Sequence, residues 1–305
     1  MKKILVIGSL NMDFVINVDE MPKKGETIMG IDMVQNPGGK GANQAYALGK
    51  LGGASAMIGA VGKDSYGEKL IMNLESVNVD TSGIKKCDGT YTGNAFVYVD
   101  RNGENSITVM AGANHCVTTE LIDENIELIK ESDIVIMQLE IPLDTAVYAA
   151  KRAFELGKTV ILDPAPAPET MPEEIFKYVD FIKPNETELM TLTGMATDTE
   201  EEIEAAGRVL LEKGAKAVIV TLGEKGSMLI NEKKSEHFPG KKVKTVDTTA
   251  AGDSFTAAFA IALAEGKDCR EAIEYGSKVS AIVVTRKGAQ ASIPTREEVE
   301  EKEEI

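Results

Sequence analysis

Short apolar runs alternate with amphipathic stretches along most of the chain, which is typical of an α/β protein. The first run, residues 4–7, is continuously apolar, as expected of a strand buried on both faces of a parallel sheet. From residue 118 the alternation becomes regular. The strands predicted there span 134–139, 159–162, 181–182 and 217–221, and the helices span 143–156, 185–194 and 199–213. This alternation predicts a doubly wound parallel sheet with helices on its faces.

Two segments, about 12–34 and 92–110, interrupt this rhythm with short pieces that resemble antiparallel strands. The strands predicted in them span 14–18, 27–31, 92–100 and 105–110. The last two are joined across Asn102 and Gly103, a pair that suits a tight hairpin turn. Four such strands cannot form a core alone, so we expect a small β-sheet lid on one α/β domain that covers 1–305.

The remaining stretches follow the same patterns. Further helices are predicted to end near residue 51 and to span 65–77, 252–265 and 269–284, with a strand at 55–61 and a hairpin-like segment at 227–246. The chain ends in a predicted acidic helix from about residue 295. We interpret its glutamates as a solvated face.

Composition and charge narrow the range of possible partners. The 305 residues are 43% hydrophobic and 27% charged, which is ordinary for a soluble globular protein. A net charge of −16 argues against a nucleic-acid surface and against docking on an anionic membrane. An anionic ligand must therefore be met by local backbone dipoles, a few cations or a metal.

Cysteine and histidine usage argues against several other kinds of site. The cysteines are widely spaced, which is typical of free thiols in a reducing compartment: Cys87, Cys116 and Cys269. With only His115 and His237 in the chain, a histidine-ligated metal centre is not expected. The N-terminal apolar run is too short for a secretory signal, and no later run approaches the length of a membrane span. We therefore expect a cytoplasmic protein.

A run of small residues at 247–252 leads into Asp253 and an apolar helix. Small side chains let the backbone approach a ligand, and the first N–H groups of a helix, with its dipole, form an anion hole. An aspartate beside such a hole suits a base that takes the proton from a hydroxyl attacking a phosphoryl group. The alternative is that Asp253 only caps the helix.

A second motif, residues 36–45, clusters glycines before a helix and adds Lys40 and Asn43 as donors; its alternative is a simple glycine-rich turn. Neither a Walker A loop nor a dinucleotide GxGxxG fingerprint is present. Asn11 and Asp13 instead follow the first strand, where open α/β sheets bind ligands. An amide and a carboxylate suit sugar hydroxyls, although both residues are also common in turns.

Together these motifs resemble the ribokinase family of carbohydrate kinases (the phosphofructokinase-B type). The similarity runs from Gly8 to Gln290, and its most specific parts are GGKGANQA at 38–45 and DTTAAGDSF at 247–255. The resemblance implies a central, mostly parallel sheet flanked by helices. It also implies a small β lid that often pairs with the lid of another subunit, so a homodimer is expected.

The resemblance implies that the chain uses ATP to phosphorylate the 5-hydroxyl of D-ribose, with Mg²⁺ as cofactor and K⁺ as activator. Fructose, deoxyribose and adenosine remain alternative acceptors. A non-catalytic sugar sensor and an NAD-dependent oxidoreductase are less favoured, because the aspartate and its small neighbours are intact and the dinucleotide fingerprint is missing.

By the same resemblance, Asp253 is the catalytic base, and the backbone N–H groups of the residues before it form the anion hole: Ala250, Ala251 and Gly252. The sugar is held, together with Asp253, by Asn11, Asp13, Gly39, Lys40, Asn43 and Glu140. The alternative, non-functional interpretation is that Glu140 is an acidic loop residue that faces solvent.

The resemblance also assigns the nucleotide and cation sites. The resemblance implies that Asn185 and Glu188 bind Mg²⁺ and the nucleotide phosphates. The remaining contacts with the nucleotide are assigned to Thr221, Gly223, Gly226, Gly252 and Ser277. The residues assigned to the K⁺ site are Asp247, Thr249, Val283, Arg286, Gly288 and Ser292. Several of them would bind the ion through their backbone carbonyls, and Arg286 would contribute its carbonyl and not its side chain. The alternative for 285–290 is a helix end with basic residues favoured by the dipole.

Overall fold

The computed structural model describes residues 2–301, so the last four residues of the predicted acidic helix lie outside the described part. The strands are β1 Ile4–Ile7, β2 Asn11–Asn17, β3 Asp32–Gly38, β4 Ser55–Gly62, β5 Asp80–Cys87, β6 Gly93–Val99, β7 Asn105–Met110, β8 Ile134–Met137, β9 Thr159–Leu162, β10 Phe181–Ile182, β11 Ala217–Thr221, β12 Gly226–Asn231 and β13 Ser235–Pro239.

The helices are α1 Lys40–Lys50, α2 Ser65–Glu75, α3 Thr119–Glu124, α4 Ile126–Glu131, α5 Leu143–Glu155, α6 Glu186–Thr193, α7 Glu200–Glu212, α8 Ala251–Ala264, α9 Cys269–Val283 and α10 Arg296–Glu301. None of these helices in 2–301 has the length and apolar character needed to cross a membrane.

The main sheet has nine strands in the order β13-β12-β11-β10-β9-β8-β1-β4-β5. From β11 to β5 all neighbouring strands run parallel, whereas β12 and β13 form an antiparallel edge. The predicted α/β fold with a mostly parallel sheet is confirmed. Because the parallel strands share one direction, their carboxyl ends meet at one edge, where open α/β sheets bind ligands.

Both faces of the sheet are buried, which explains the continuous apolar runs. Ile4 and Val6 pack into one core with α1, α2, α8 and α9, while Leu5 and Ile7 pack into the other with α3 to α7. Alternate side chains of a strand point to opposite faces, so each run serves both cores. A fully buried Leu or Ile contributes roughly 1.5–3 kcal/mol relative to exposure. The two cores therefore hold the strand ends in fixed positions.

A separate small sheet has the order β3-β2-β6-β7. Strands β2, β6 and β7 coincide closely with the two segments predicted to form a lid, whereas β3 begins at Asp32 and extends to Gly38, beyond the predicted boundary at residue 34. The pairs β2/β3 and β6/β7 are antiparallel, but β2 and β6 run parallel. The expectation of a purely antiparallel arrangement is wrong for this central pair. Both strands follow a parallel strand of the main sheet, β1 or β5, and leave its carboxyl edge in the same direction.

The strand predicted at 27–31 is also wrong. This stretch is irregular and its Met29 is 89% exposed, while the partner of β2 is β3 with Asn11 opposite Gly38. The sequence favoured 27–31 because it is largely apolar. Strand β3 contains Pro37, which has no N–H to donate. Since β3 is an edge strand, it tolerates a proline. Strand β5 was not predicted at all.

Candidate active site

Asp253 occupies the first turn of α8, where the sequence predicted a base beside an anion hole. Its Oδ2 accepts the Nδ2 amide hydrogen of Asn43 at 3.0 Å, and its Oδ1 accepts from Gln44 Nε2 at 3.1 Å. Burial raises the pKa of this carboxyl, and Lys40 opposes that rise. No side chain caps α8 within the described chain, so the simple capping alternative does not describe Asp253. Burial favours the protonated form of this carboxyl, whereas the two amide donors favour its ionised form.

The backbone before α8 leaves N–H groups open to a ligand. Ala250 has φ 61° and ψ 10°, a left-handed conformation that costs a non-glycine residue ~1–2 kcal/mol. The N–H of Ala251 donates to the carbonyl of Thr248 at 3.2 Å, so this member of the predicted anion hole is occupied. Within residues 2–301 no hydrogen-bond acceptor engages the N–H groups of Gly252 or Asp253. These two groups and the helix dipole form the anion-binding end of α8.

The glycine loop before α1 lies directly against the end of β1. Gly39 has φ 86°, and a Cβ atom there would lie 2.7 Å from the backbone nitrogen of Asn11, so only glycine fits. Glu140 Oε2 accepts the backbone N–H of Lys40 at 3.0 Å and the hydroxyl of Ser9 at 2.5 Å. Glu140 therefore anchors the glycine loop and is not a solvent-facing loop acid.

Several polar groups beside this loop have no protein partner. Asp13 Oδ1 and Asn94 Oδ1 are buried and have no hydrogen-bond partner in the described residues. Burial and the nearby carboxylates of Glu140 and Asp253 raise the pKa of Asp13 to about 7. Asn11 Oδ1 accepts from Asn114 Nδ2 at 2.7 Å. Unpaired buried polar atoms next to a carboxylate are suited to a ligand rich in hydroxyl groups.

A cavity of about 1270 Å³ opens at the carboxyl edge of β10 and β11. It is large enough for a nucleotide. Every residue predicted to contact the nucleotide lines it: Asn185, Glu188, Thr221, Gly223, Gly226, Gly252 and Ser277. Asp253 and Lys40 also line the cavity, whereas the other predicted sugar residues do not. Two of these, Asn43 and Glu140, are hydrogen-bonded to Asp253 and to the Lys40 backbone. Asp253 is therefore the point at which the two predicted sites meet.

The strand ends explain how the cavity is built. Asn185 lies just after β10, Thr221 is the last residue of the adjacent parallel strand β11, and the two residues form an isolated parallel bridge. Asn185 Oδ1 accepts the N–H of Glu188 at 2.7 Å, while Glu188 Oε2 accepts the N–H of Asn185 at 2.8 Å. This capping box starts α6 and places both side chains on the cavity wall.

Lys40 extends into the same cavity. Burial alone would lower the pKa of its ammonium group, but the carboxylates of Asp253, Asp163, Glu140 and Glu188 raise it well above its usual range. The ammonium therefore stays charged at every physiological pH. It offers a permanent positive charge on the cavity wall, close enough to Asp253 to interact with its carboxylate.

The residues predicted to hold K⁺ come together beside the start of α8. Asp247 Oδ1 accepts from the N–H and hydroxyl of Thr249 at 2.9 and 2.6 Å, and its Oδ2 accepts from Gly288 N–H at 2.9 Å. Burial would raise the pKa of Asp247, but these hydrogen bonds lower it.

The remaining predicted cation residues flank this carboxylate and are tied into the local structure. The Arg286 guanidinium pairs with Glu298 at 2.8 Å, away from Asp247, and the Val283 carbonyl accepts the Arg286 N–H at 3.0 Å. The Ser292 hydroxyl donates to the carbonyl of Ala289 at 2.7 Å. Asp247 therefore stays ionised, in a loop rich in carbonyl oxygens.

The sequence did not single out a buried network next to Asp253. Gln44 Nε2 donates to Asp163 Oδ2 at 2.9 Å as well as to Asp253, and Gln138 Nε2 donates to Gln44 Oε1 at 2.6 Å. Asp163 also pairs with Lys183 at 3.3 Å. Asp163 and Lys183 each follow a parallel strand, which is the signal that pointed to Asn11 and Asp13 and could have identified these two residues as well.

The model of the pfkB family of carbohydrate kinases matches residues 1–296. The ribokinase of Haemophilus influenzae is 41% identical over 297 residues, which cover 97% of each chain. The deoxyribokinase of Salmonella typhimurium is 39% identical over 298 residues, covering 98% of this chain and 97% of the relative. The structure of Arabidopsis thaliana ribokinase complexed with ribose and ATP matches with a TM-score of 0.94 and 35% identity, over 100% of this chain and 99% of that one.

Proposed function

The chain belongs to the pfkB family of carbohydrate kinases, and we propose that it transfers the γ-phosphoryl group of ATP to the 5-hydroxyl of D-ribose. The products are ribose 5-phosphate and ADP. The observation that carries this proposal is the position of Asp253, which joins the hydroxyl-binding side at Asn43 to the cavity beside Gly252. A base at that junction touches both substrates of a phosphoryl transfer.

Asp253 accepts the proton of the ribose 5-hydroxyl as that oxygen attacks the γ-phosphorus. Its raised pKa, caused by burial, favours uptake of this proton. The open N–H groups of Gly252 and Asp253 receive the charge on the phosphoryl oxygens. Little covalent chemistry is needed from the protein, because position and charge supply most of the rate enhancement.

The sugar hydroxyls bind to the group of residues around the glycine loop, which supplies carboxylate, amide and backbone partners: Asn11, Asp13, Gly39, Lys40, Asn43 and Glu140. The unpaired Oδ1 of Asp13 supports this assignment, since a ribose hydroxyl would complete its hydrogen bonding. The neighbouring Asn94 Oδ1 extends the set.

ATP occupies the large cavity, with its triphosphate directed toward Gly252. We assign Mg²⁺ to the carboxylate of Glu188 on the cavity wall, because this ion keeps several waters, also binds phosphate oxygens and needs few protein ligands. Bound Mg²⁺ would neutralise phosphate charge. In the described residues no cluster of three or more His, Cys, Asp or Glu could hold a metal by itself, which is consistent with an ion that arrives with the nucleotide.

K⁺ is proposed as an activator held by the loop around Asp247 and Gly288. The ionised Asp247 and the backbone carbonyls of 283–292 supply hard oxygen ligands for a weakly hydrated cation. The Arg286 side chain is held away by Glu298, which leaves only its carbonyl for this role.

The small sheet is proposed to close over the sugar as the lid of a single domain and to pair with the lid of a second subunit. Its strand β7 exposes Ile107 and Val109 at 56% and 48%, so apolar area is available for such pairing. We place the reaction in the cytoplasm, where ATP is available.

The main alternative is a deoxyribokinase, because the Salmonella enzyme of that name is nearly as similar as the Haemophilus ribokinase. Steady-state kinetics on ribose, 2-deoxyribose, fructose and adenosine, with Mg²⁺ and ATP, distinguishes these acceptors. We expect the highest kcat/KM for ribose. A higher value for 2-deoxyribose or another acceptor would overturn the ribose assignment while leaving the kinase chemistry in place.

A further inference from the structure

Lys183 lies at the carboxyl end of β10, next to Asp163 at the end of β9. The two strands are parallel neighbours with Ile182 opposite Leu162, so the residues that follow them emerge side by side. The backbone N–H of Lys183 donates to the carbonyl of Leu162 at 2.9 Å, which fixes the start of its side chain. This places a lysine at the same sheet edge as the proposed phosphoryl-transfer site.

The Lys183 ammonium is buried and faces the anion-binding end of α8. Lys183 is 5% exposed and Asp163 2%, and their charged atoms are 3.3 Å apart. A Cβ atom at Gly252 would lie 3.6 Å from Lys183 Nζ, and all three residues line the nucleotide cavity. The ammonium therefore points to the space in front of the open N–H groups.

Stability alone does not account for this buried ion pair, because a protein with a buried salt bridge is often no more stable than one with an apolar replacement. Within residues 2–301, Asp163 Oδ1 accepts no hydrogen bond, and its close polar contact is the ion pair with the Lys183 ammonium at 3.3 Å. Its Oδ2 accepts from Gln44, which in turn donates to Asp253. The pair therefore belongs to the hydrogen-bond network that holds the proposed base. It also lines the cavity, and a buried charged group in such a position is a candidate for a functional role.

We propose that Lys183 is a further catalytic residue, whose ammonium contacts the γ-phosphoryl oxygens during transfer; this rests on the proposed function. The bond between the γ-phosphorus and the bridging β-oxygen breaks, the bond to the sugar oxygen forms, and the hydroxyl proton passes to Asp253. Lys183 and the Gly252 N–H stabilise the charge on the transferring group. Asp163 holds the ammonium in position and balances its charge when no phosphate is bound.

The variant Lys183→Met tests this role. We expect kcat to fall about 10²–10³-fold, as for loss of a transition-state charge partner, with the KM for ribose nearly unchanged. ATP should bind more weakly, whereas ADP, which lacks the γ-phosphoryl group, should bind within threefold of the wild type by calorimetry. Lys183→Arg keeps the charge and should recover part of kcat.

A control uses a lysine–aspartate pair at the opposite edge of the main sheet. Lys216 pairs with Asp180 at 2.5 Å at the amino-terminal edge of β11 and β10, away from the cavity. Lys216→Met should leave kcat unchanged. Because Lys183→Met leaves Asp163 buried without its partner, the double variant Lys183→Met/Asp163→Asn removes both charges and retains a similar shape.

Low kcat in the folded double variant supports the proposal, and a kcat within threefold of the wild type overturns it. Equal losses of ATP and ADP affinity in both variants would show a structural role and would also overturn it. A wild-type protein that phosphorylates no acceptor contradicts the proposed function instead. In that case the comparison of ATP with ADP binding still decides whether Lys183 contacts the γ-phosphoryl group.

Discussion

Gln290 Nε2 donates to Oδ1 of Asn43 at 3.1 Å, deep in the protein, and thereby fixes which end of the Asn43 amide faces Asp253. With Oδ1 occupied as an acceptor, Asn43 Nδ2 is directed to Asp253 at 3.0 Å. Gln290 lies two residues after Gly288, whose N–H is bonded to Asp247. The loop proposed to hold K⁺ is therefore linked by three hydrogen bonds and a short backbone segment to the proposed base.

Replacing Gln290 with alanine should weaken catalysis, although Gln290 is not among the residues proposed to contact either substrate. In this variant the Asn43 side chain loses the hydrogen bond that fixes its orientation. The Asn43 amide then donates to Asp253 for a smaller fraction of the time, and kcat should fall. The buried Oδ1 left unpaired should also lower the free energy of unfolding by about 1–3 kcal/mol. Activity and urea denaturation measure the two effects. Asn73→Ala removes the group that donates to Gln290 Oε1 at 2.5 Å and should reduce kcat less; a larger loss from Asn73→Ala would contradict this ordering.

The fold was largely predictable because buried parallel strands leave continuous apolar runs. The errors fell in the small sheet, where apolar residues are exposed and pairing decides which stretch becomes a strand. Residues 27–31 are largely apolar but form no strand, while β3 contains Pro37 and is still a strand because its edge position tolerates proline. Local propensity carries no information about such pairing.

The candidate site was predictable only where a local motif marks it. Asp253 and Asn43 lie in two specific motifs, whereas the contacts of Gln44 join residues 119 and 209 positions away along the chain. Asp163 and Lys183 come together because each follows one of the adjacent parallel strands β9 and β10. Strand order is a tertiary property, so spacing along the sequence did not reveal the pair.

The pH dependence of stability should depend on Asp13. Its pKa is raised to about 7 from an ordinary 3.8, so between these values the folded protein holds a proton that the unfolded chain releases. The stability from neutral Asp13 is fully present below pH ~4 and is lost as the pH rises through about 7. Asp13→Asn should therefore exceed the wild type in free energy of unfolding at pH 8 by a few kcal/mol, at about 1.4 kcal/mol per pKa unit.

Asp247→Asn provides a control of opposite sign. The pKa of Asp247 is lowered in the folded protein, so its stabilisation is present at neutral pH and is lost as the solution becomes acidic. This variant should be less stable than the wild type at pH 8, with a gap that closes in acid. Urea titrations of both variants from pH 4 to 8 give the test. Parallel stability curves for the wild type and Asp13→Asn would contradict the account of Asp13.

Removal of K⁺ should lower the rate of ADP formation. Replacing KCl with tetramethylammonium chloride at constant ionic strength keeps general screening but offers no ion that fits beside Asp247. Asp247→Ala should have low activity in both salts and show no difference between them. A wild-type protein with equal kcat in the two salts would argue against the cation site.

The outer face of β7 should control association of two chains. Ile107→Lys places a charge in an exposed apolar patch that we propose pairs with a second lid, so the variant should sediment as a monomer while the wild type sediments as a dimer. Phe154→Lys, a change at a 42% exposed residue on α5, should leave the dimer intact. Wild-type protein that is monomeric at micromolar concentration would contradict pairing through the lid.

The most direct test of the central claim is the ribose turnover of Asp253→Asn. The amide keeps the shape of the carboxylate but cannot accept the hydroxyl proton as the base does. We predict that ribose still binds within threefold of its wild-type affinity by calorimetry, while kcat for ADP formation falls about 10²–10⁴-fold. A variant that binds ribose normally and retains more than about a tenth of the wild-type kcat would remove Asp253 from the role of base.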